Sequence, residues 1–175
     1  MTFREHLALR LPCIDPSSRP WKDVHIDYEN EIVTFELRNP FTLQLSGTQK
    51  YDWKAAKEKR NYGKYLQHCA KGSKILFGLE YIEDYSRPIF LVEGVFDALS
   101  MRQHGFQCLA LMSNNTPKDV KTYLLNLPNT IAICDGDSAG LHLAKYTKRH
   151  VVCEEGEDPN SMPKTKLLEL LREQL

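Results

Sequence analysis

The chain has 175 residues, which suits one domain or one domain with a small appendage. The charges of its 23 basic and 23 acidic residues cancel, so any surface that binds nucleic acid must be a local patch. The five cysteines form no Cys-x-x-Cys pair, which argues against a structural zinc site, and their odd number, without a signal peptide, predicts a reducing cytoplasm. No apolar run approaches the roughly 18 residues that a membrane-spanning helix needs.

The first 74 residues are predicted to form a small α+β subdomain. An opening helix at residues 3–9 leads into a connector that carries three prolines and ends at Pro20. Alternating apolar residues then predict two strands, at 32–37 and 41–45, which residues 38–40 join as a hairpin. This pattern is typical of a small antiparallel sheet.

Residues 46–74 hold the densest cluster of basic side chains, with aromatic residues between them. Such a mixture suits single-stranded nucleic acid, whose phosphates need cations and whose bases stack on aromatic rings. The alternative is a lysine-rich helix with one solvated face, which is the commoner reason for a run of charge. The residues concerned are Lys50, Lys54, Lys57, Lys59, Arg60, Lys64, Lys71 and Lys74, with Tyr51, Trp53, Tyr62 and Tyr65.

From residue 75 onward, short apolar runs alternate with helical patterns, and this alternation over residues 89–175 predicts βαβ units and a mostly parallel sheet flanked by helices. The apolar runs are residues 75–79, 89–92, 108–112, 131–134 and 150–153. The helical patterns cover residues 80–85, 95–101, 120–126, 141–146 and 164–174. The sequence therefore predicts an α/β protein with one domain at residues 75–175 and the smaller subdomain at residues 1–74.

Three acidic clusters follow three of these apolar runs. In a parallel sheet the carboxyl ends of all strands lie at one edge, so the three clusters can converge there. A pocket lined with carboxylates binds one or two Mg²⁺ ions and suits phosphoryl transfer. Ordinary acidic turns and helix starts are the alternative interpretation for each cluster on its own. The clusters pair Glu93 with Asp97, Asp135 with Asp137, and Glu155 with Asp158.

Two stretches around these acidic residues resemble the TOPRIM domain, which DnaG-type primases, type IA and type II topoisomerases and OLD-family nucleases share. They are Leu-Val-Glu-Gly-Val-Phe-Asp-Ala at residues 91–98 and Cys-Asp-Gly-Asp-Ser-Ala-Gly at residues 134–140. The resemblance implies a Rossmann-like TOPRIM sheet on which Glu93, Asp135 and Asp137 are the catalytic residues.

The same resemblance implies a metal site and no zinc. The three catalytic carboxylates would bind Mg²⁺, which Mn²⁺ can replace, and Asp97 and Asp158 would support the metal cluster. The finer resemblance is to the catalytic core of bacterial and bacteriophage DnaG-type primases, because residues 156–161 resemble the primase Gly-Glu-Asp-Pro-Asp segment. This chain departs from the pattern at Asn160, where the segment ends in aspartate, and it carries no zinc ribbon.

Elements ahead of the predicted domain also resemble primases. Residues 64–66 match a Lys-Tyr-Leu element, and residues 76–79 match a Phe/Tyr-Gly-Leu element. The resemblance implies that Lys64 contacts a nucleotide or phosphate, and that Lys71 or Lys74 has a similar role.

The resemblance to primases implies template-directed synthesis of short RNA primers from ribonucleoside triphosphates on single-stranded DNA. The expected location is the cytoplasm of a bacterium or a phage-infected cell, away from any membrane. A replication partner, such as a helicase or a separate template-recognition protein, is expected because the sequence has no zinc ribbon. Two alternatives stay open. One is an OLD-like, Mg²⁺-dependent nuclease with water as the nucleophile, and the other is a non-catalytic module that binds single-stranded nucleic acid or replication partners.

Overall fold

The computed structural model describes residues 1–11, 22–58, 64–112, 116–137 and 140–175. Within them the chain forms two compact units, Met1–Ile75 and Leu76–Leu175. The second unit holds a parallel sheet flanked by helices, which confirms the predicted α/β fold class. The three prolines of the predicted connector lie outside the described residues. No helix in the described ranges is long and apolar enough to cross a membrane.

The first unit is an antiparallel sheet of four strands with two short helices. Its elements are α1 (Phe3–Arg10), β1 (Val24–Asp27), β2 (Ile32–Arg38), β3 (Leu45–Asp52), α2 (Trp53–Lys57) and β4 (Tyr65–Cys69). The strand order is β1-β2-β3-β4. Side chains alternate along β2, so Val33, Phe35 and Leu37 share one fully buried face. Helix α1 buries Phe3 and Leu7.

The prediction of a strand at residues 41–45 is wrong, because most of these residues form a turn and do not pair with a neighbouring strand. The backbone N–H of Asn39 donates to the carbonyl of Gln44 over 2.9 Å, which closes the turn. Leu43 has a φ of 59°, a left-handed conformation that a strand excludes. The next strand therefore starts only at Leu45, and the hairpin loop is longer than predicted.

The second unit is a parallel sheet of four strands flanked by helices. Its elements are β5 (Ile89–Val92), α3 (Val95–Gln103), β6 (Gln107–Ala110), α4 (Lys118–Asn126), β7 (Thr130–Cys134), β8 (Arg149–Val152) and α5 (Lys164–Leu171), with 3₁₀ helices at Leu79–Tyr81 and Gly140–Tyr146. The strand order is β6-β5-β7-β8. Every residue of β5, β6 and β7 is buried, as expected for strands that helices cover on both faces.

One local prediction for this unit is wrong. Residues 75–79 form no strand, and Phe77 pairs with Ala110 in an antiparallel bridge. The helical patterns at 80–85 and 141–146 correspond to 3₁₀ helices at Leu79–Tyr81 and Gly140–Tyr146, the tighter form that short connecting segments commonly adopt, and the first of them is shorter than predicted.

Strands β5, β7 and β8 are neighbours and run in the same direction. Their carboxyl ends therefore lie at one edge of the sheet, and the segments after Val92, Cys134 and Val152 emerge side by side. The ladder continues one step further, because the N–H of Cys153 donates to the carbonyl of Cys134 over 2.9 Å. This edge carries the acidic residues that the sequence singles out.

Candidate active site

Four acidic side chains converge at this edge of the sheet. Glu93 follows β5, Asp135 and Asp137 follow β7, and Asp158 belongs to the loop after β8. Burial raises the pKa of Asp135 to about 7, and the negative charges of Glu93, Asp158 and Asp137 add to this effect. Burial and the charge of Asp137 likewise raise the pKa of Glu93. Glu93 and Asp135 thus lie close enough to other carboxylates for their own ionised forms to be disfavoured.

One oxygen of this cluster, Oδ1 of Asp135, is buried, and no described residue donates a hydrogen bond to it. A buried acceptor without a partner is costly, since the water it gave up is not replaced. The cluster therefore has both the charge and the free acceptor that a cation would satisfy.

Glycine is required where the loop after β7 meets the loop after β8. A Cβ at Gly136 would overlap the carbonyl oxygen of Glu154. Without that atom, the N–H of Gly136 donates to the carbonyl of Glu157 over 2.9 Å, and the N–H of Gly156 donates to the carbonyl of Gly136 over 3.2 Å. These bonds hold Asp135 and Asp158 at neighbouring positions.

Asp137 is exposed and lies at the start of the 3₁₀ helix Gly140–Tyr146. Its Oδ1 accepts a hydrogen bond of 2.7 Å from the N–H of Gly140. A Cβ at Gly140 would overlap the backbone of Asp135, so this glycine lets the helix pack closely against the end of β7. Residues 138 and 139, the remainder of the motif, lie outside the described part of the chain.

Asp97 lies on α3 and is only 9% exposed. Its Oδ1 accepts a hydrogen bond of 3.3 Å from the backbone N–H of Asn160. One helical turn further on, the hydroxyl of Ser100 donates to the carbonyl of Pro159 over 3.2 Å. Helix α3 thus holds the loop that carries Asp158. The sequence prediction missed Ser100, whose one signal is its i+3 spacing from Asp97 on a helix face.

Asp158 shapes its own loop. Its Oδ1 accepts a hydrogen bond of 2.6 Å from the N–H of Ser161, and the hydroxyl of Ser161 accepts one of 3.0 Å from the N–H of Asp158. This reciprocal pair closes a tight turn directly before α5. One carboxylate oxygen of Asp158 is used in the turn, and its charge still acts on Asp135.

The sequence pairs Glu155 with Asp158, but the structure connects Glu157 to its surroundings instead. Glu155 is exposed and does not contribute to the raised pKa values of Glu93 or Asp135. Lys166 on α5 donates to Glu154 over 2.7 Å and to Glu157 over 2.8 Å. The lysine is a loop-positioning residue that no sequence motif indicates.

A family model described as Toprim-like matches residues 90–166. These residues form a Toprim-like domain. The match runs from β5 to α5 and therefore includes all four carboxylates of the cluster.

Solved structures share the fold. A DnaG primase catalytic domain bound to ssDNA has a TM-score of 0.62 and 18% identity, over 97% of this chain and 64% of its own. The Aquifex aeolicus primase with its zinc-binding and RNA polymerase domains has a TM-score of 0.62 and 23% identity, over 89% and 43%. The primase fragment of the bacteriophage T7 primase-helicase protein has a TM-score of 0.57 and 16% identity, over 82% and 62%.

The chain spans 43% to 64% of the length of these three structures. At identities of 16% to 23%, the similarity establishes the fold. No curated protein sequence matches the chain significantly.

The carboxylates around Asp135 in the Toprim-like domain are suitable ligands for a magnesium ion. Among the described residues, no group of three or more His, Cys, Asp or Glu side chains is arranged so that it could hold a metal ion by itself. Mg²⁺ does not need one, because it usually keeps several waters and takes one or two carboxylates plus phosphate oxygens. The unpartnered Oδ1 of Asp135, with the carboxylates of Glu93, Asp158 and Asp137 near it, meets that requirement.

The predicted basic contacts belong to the first unit, where the described part of residues 46–74 holds the strands β3 and β4 and the short helix α2. Lys64 is exposed just before β4, and its Nζ lies 5.4 Å from the ring centroid of Tyr65. The Nζ of Lys74 lies 5.1 Å from the ring centroid of Phe41. Lys71 is exposed in the turn after β4. Because Lys64 and Lys71 flank a five-residue strand, they are separated by its length, about 17 Å.

Proposed function

We propose that this chain is a primase-like nucleotidyltransferase that synthesises short RNA primers on single-stranded DNA from ribonucleoside triphosphates. The convergence of Glu93, Asp135, Asp137 and Asp158 at one edge of a Toprim-like domain carries the proposal. The fold shared with DnaG catalytic cores supports it, as does the fact that one of these similar structures holds ssDNA.

In this proposal Asp135 and Asp137 hold Mg²⁺, or Mn²⁺ in its place, with support from Asp97 and Asp158. When bound, the ion would neutralise the negative charge that develops on the phosphates during nucleotidyl transfer. Glu93 holds a proton more readily than an ordinary glutamate because its pKa is raised. It therefore acts as a general base toward the attacking hydroxyl, or as a further ligand.

Template and nucleotide contacts come from the basic segment in this proposal. Lys64, Lys71 and Lys74 would neutralise phosphates, and the partly exposed rings of Tyr65 and Phe41, at 39% and 50%, would stack on bases. The subdomain of residues 1–74 would thus hold the template, and the domain of residues 75–175 would perform the transfer.

A replication partner completes the proposal. One similar structure is a fragment of a primase-helicase protein, and another contains a zinc-binding domain beside its polymerase domain. We infer that a helicase or a separate template-recognition protein directs this chain to its template, in the cytoplasm of a bacterium or a phage-infected cell.

The test combines single-stranded DNA, four ribonucleotides and Mg²⁺ or Mn²⁺ with the protein, and labels both the DNA and one nucleotide. Short labelled RNA on intact DNA is expected from the wild type, and Asp135→Asn should abolish it. Glu155→Gln is the matched control, since this carboxylate is exposed and lies outside the cluster. Shortened DNA without incorporation would assign the site to a nuclease, and neither product would favour a non-catalytic module.

A further inference from the structure

A groove opens at the edge of the parallel sheet opposite the acidic cluster. It lies between the end of α4 and the starts of β7 and β8, and it encloses about 530 Å³ including its mouth. Thr130, the first residue of β7, lines it, whereas Asp135 follows the last residue of the same strand. The two sites are therefore separated by the length of β7, about 16 Å.

The groove has a positive rim without compensating carboxylates. Lys148 and Arg149 line it and are exposed, and within the described part of the chain neither forms an ion pair. No acidic residue occurs between positions 138 and 153. The chain as a whole has zero net charge, so the rim of the groove is a local positive patch.

The floor of the groove is apolar. Leu125 and Leu127 are half-buried there, and Pro128 is exposed beside them. Among the described residues that line the groove, none is aromatic. A nucleic-acid strand would use the cations but would find no ring among these lining residues on which its bases could stack. A peptide that carries both carboxylates and an apolar side chain would use the rim and the floor together.

The walls of the groove are held in place before any ligand binds. The hydroxyl of Thr147 donates to the carbonyl of Arg149 over 2.7 Å. The side-chain amide of Asn129 donates to the carbonyl of Ser86 over 2.8 Å, and Asn129 adopts a left-handed φ of 55°. A preformed pocket loses little conformational freedom when a ligand enters, which favours binding.

We propose that this groove docks an acidic segment of a partner protein, with carboxylates on Lys148 and Arg149 and one apolar side chain against Leu125 and Leu127. A partner held there leaves the opposite, carboxylate-bearing edge of the sheet open. The proposal therefore does not depend on which reaction that edge performs.

The probe is a fluorescein-labelled nine-residue peptide of three Glu-Asp-Leu repeats, measured by fluorescence polarisation against the full chain. Saturable binding to the wild type is expected. Lys148→Glu and Arg149→Glu should each weaken it at least tenfold, and Arg149→Gln should weaken it less. Lys118→Glu is the matched control, because this lysine is exposed on α4 but does not line the groove. Circular dichroism verifies that each variant is folded.

Two further comparisons separate the alternatives. A peptide with serine in place of leucine should bind at least tenfold more weakly, and equal binding would show that charge alone is recognised and would overturn the proposal. Single-stranded DNA should bind Lys148→Glu and Arg149→Glu about as well as the wild type. Loss of DNA binding with unchanged peptide binding would assign this surface to nucleic acid instead, and no peptide binding to the wild type would also overturn the proposal.

Discussion

Replacing Asp135 by asparagine should stabilise the metal-free protein and remove its response to Mg²⁺. The pKa of Asp135 is raised from 3.8 to about 7 by burial and by the charges of Glu93, Asp158 and Asp137. In the unfolded chain the carboxyl ionises near its ordinary value. The ionised form therefore costs stability as the pH rises through the range from 3.8 to about 7, and the cost is complete above that range. Asparagine has nearly the same shape and no charge, so the variant avoids this cost.

The size of the effect follows from the pKa. A rise of about 3 pH units corresponds to about 4 kcal/mol without screening. Asp135 is only half-buried, and solvent screening reduces the expected gain in the free energy of unfolding to about 1–2 kcal/mol. In a protein of this size that is roughly 2–8 °C in Tm. At pH values well below 4 both side chains are neutral, so the difference should vanish.

Urea unfolding of both proteins at pH 8, in EDTA and in Mg²⁺, measures this directly. At a concentration of 100 times its Kd, Mg²⁺ should add about 2.7 kcal/mol to the wild type alone, so the order of stability reverses. Glu155→Gln should behave as the wild type in both conditions. If the wild type were the more stable protein in EDTA, or if Mg²⁺ stabilised both equally, the crowded carboxylate site would be refuted.

Three further predictions test other parts of the molecule. Gly136→Ala should lower the free energy of unfolding by about 1–3 kcal/mol and weaken Mg²⁺ binding, because the added Cβ overlaps the Glu154 carbonyl. Calorimetry that shows unchanged stability would contradict this packing. Lys64→Ala should weaken single-stranded DNA binding more at low salt than at high salt, whereas unchanged affinity would make this lysine an ordinary solvated residue. Burial lowers the pKa of His6 from 6.5 to about 4, so the first unit should lose stability as the pH falls through that interval, and His6→Gln should lack this loss when tryptophan fluorescence follows urea unfolding.

The parallel sheet was predictable because its signals are local. The run at 89–92 matches β5, and the run at 131–134 lies within β7. Four or five consecutive apolar residues bounded by turn residues are typical of strands covered on both faces. The acidic residues that follow such runs can then be placed at one edge, because parallel strands share their direction.

The short antiparallel segments were harder to predict, because alternation alone does not prove a buried face. Phe41, Leu43 and Leu45 alternate like a strand, yet they are 50%, 56% and 53% exposed. The turn that includes the first two depends on the Asn39–Gln44 bond and a left-handed residue, neither of which periodicity encodes. Apolar residues on a protein surface are common enough to imitate a strand pattern.

By itself the sequence determined which segments form the buried strands and which carboxylates follow them, because both properties depend on neighbouring residues. Only the tertiary structure decided that Asp97 and Ser100 hold the loop of Asp158, through hydrogen bonds to residues 63 and 59 positions away. It also decided that Glu157, and not Glu155, is bonded to Lys166. These contacts form when α3 and α5 pack beside the sheet, and no local pattern of apolar and polar residues specifies which side chains then meet.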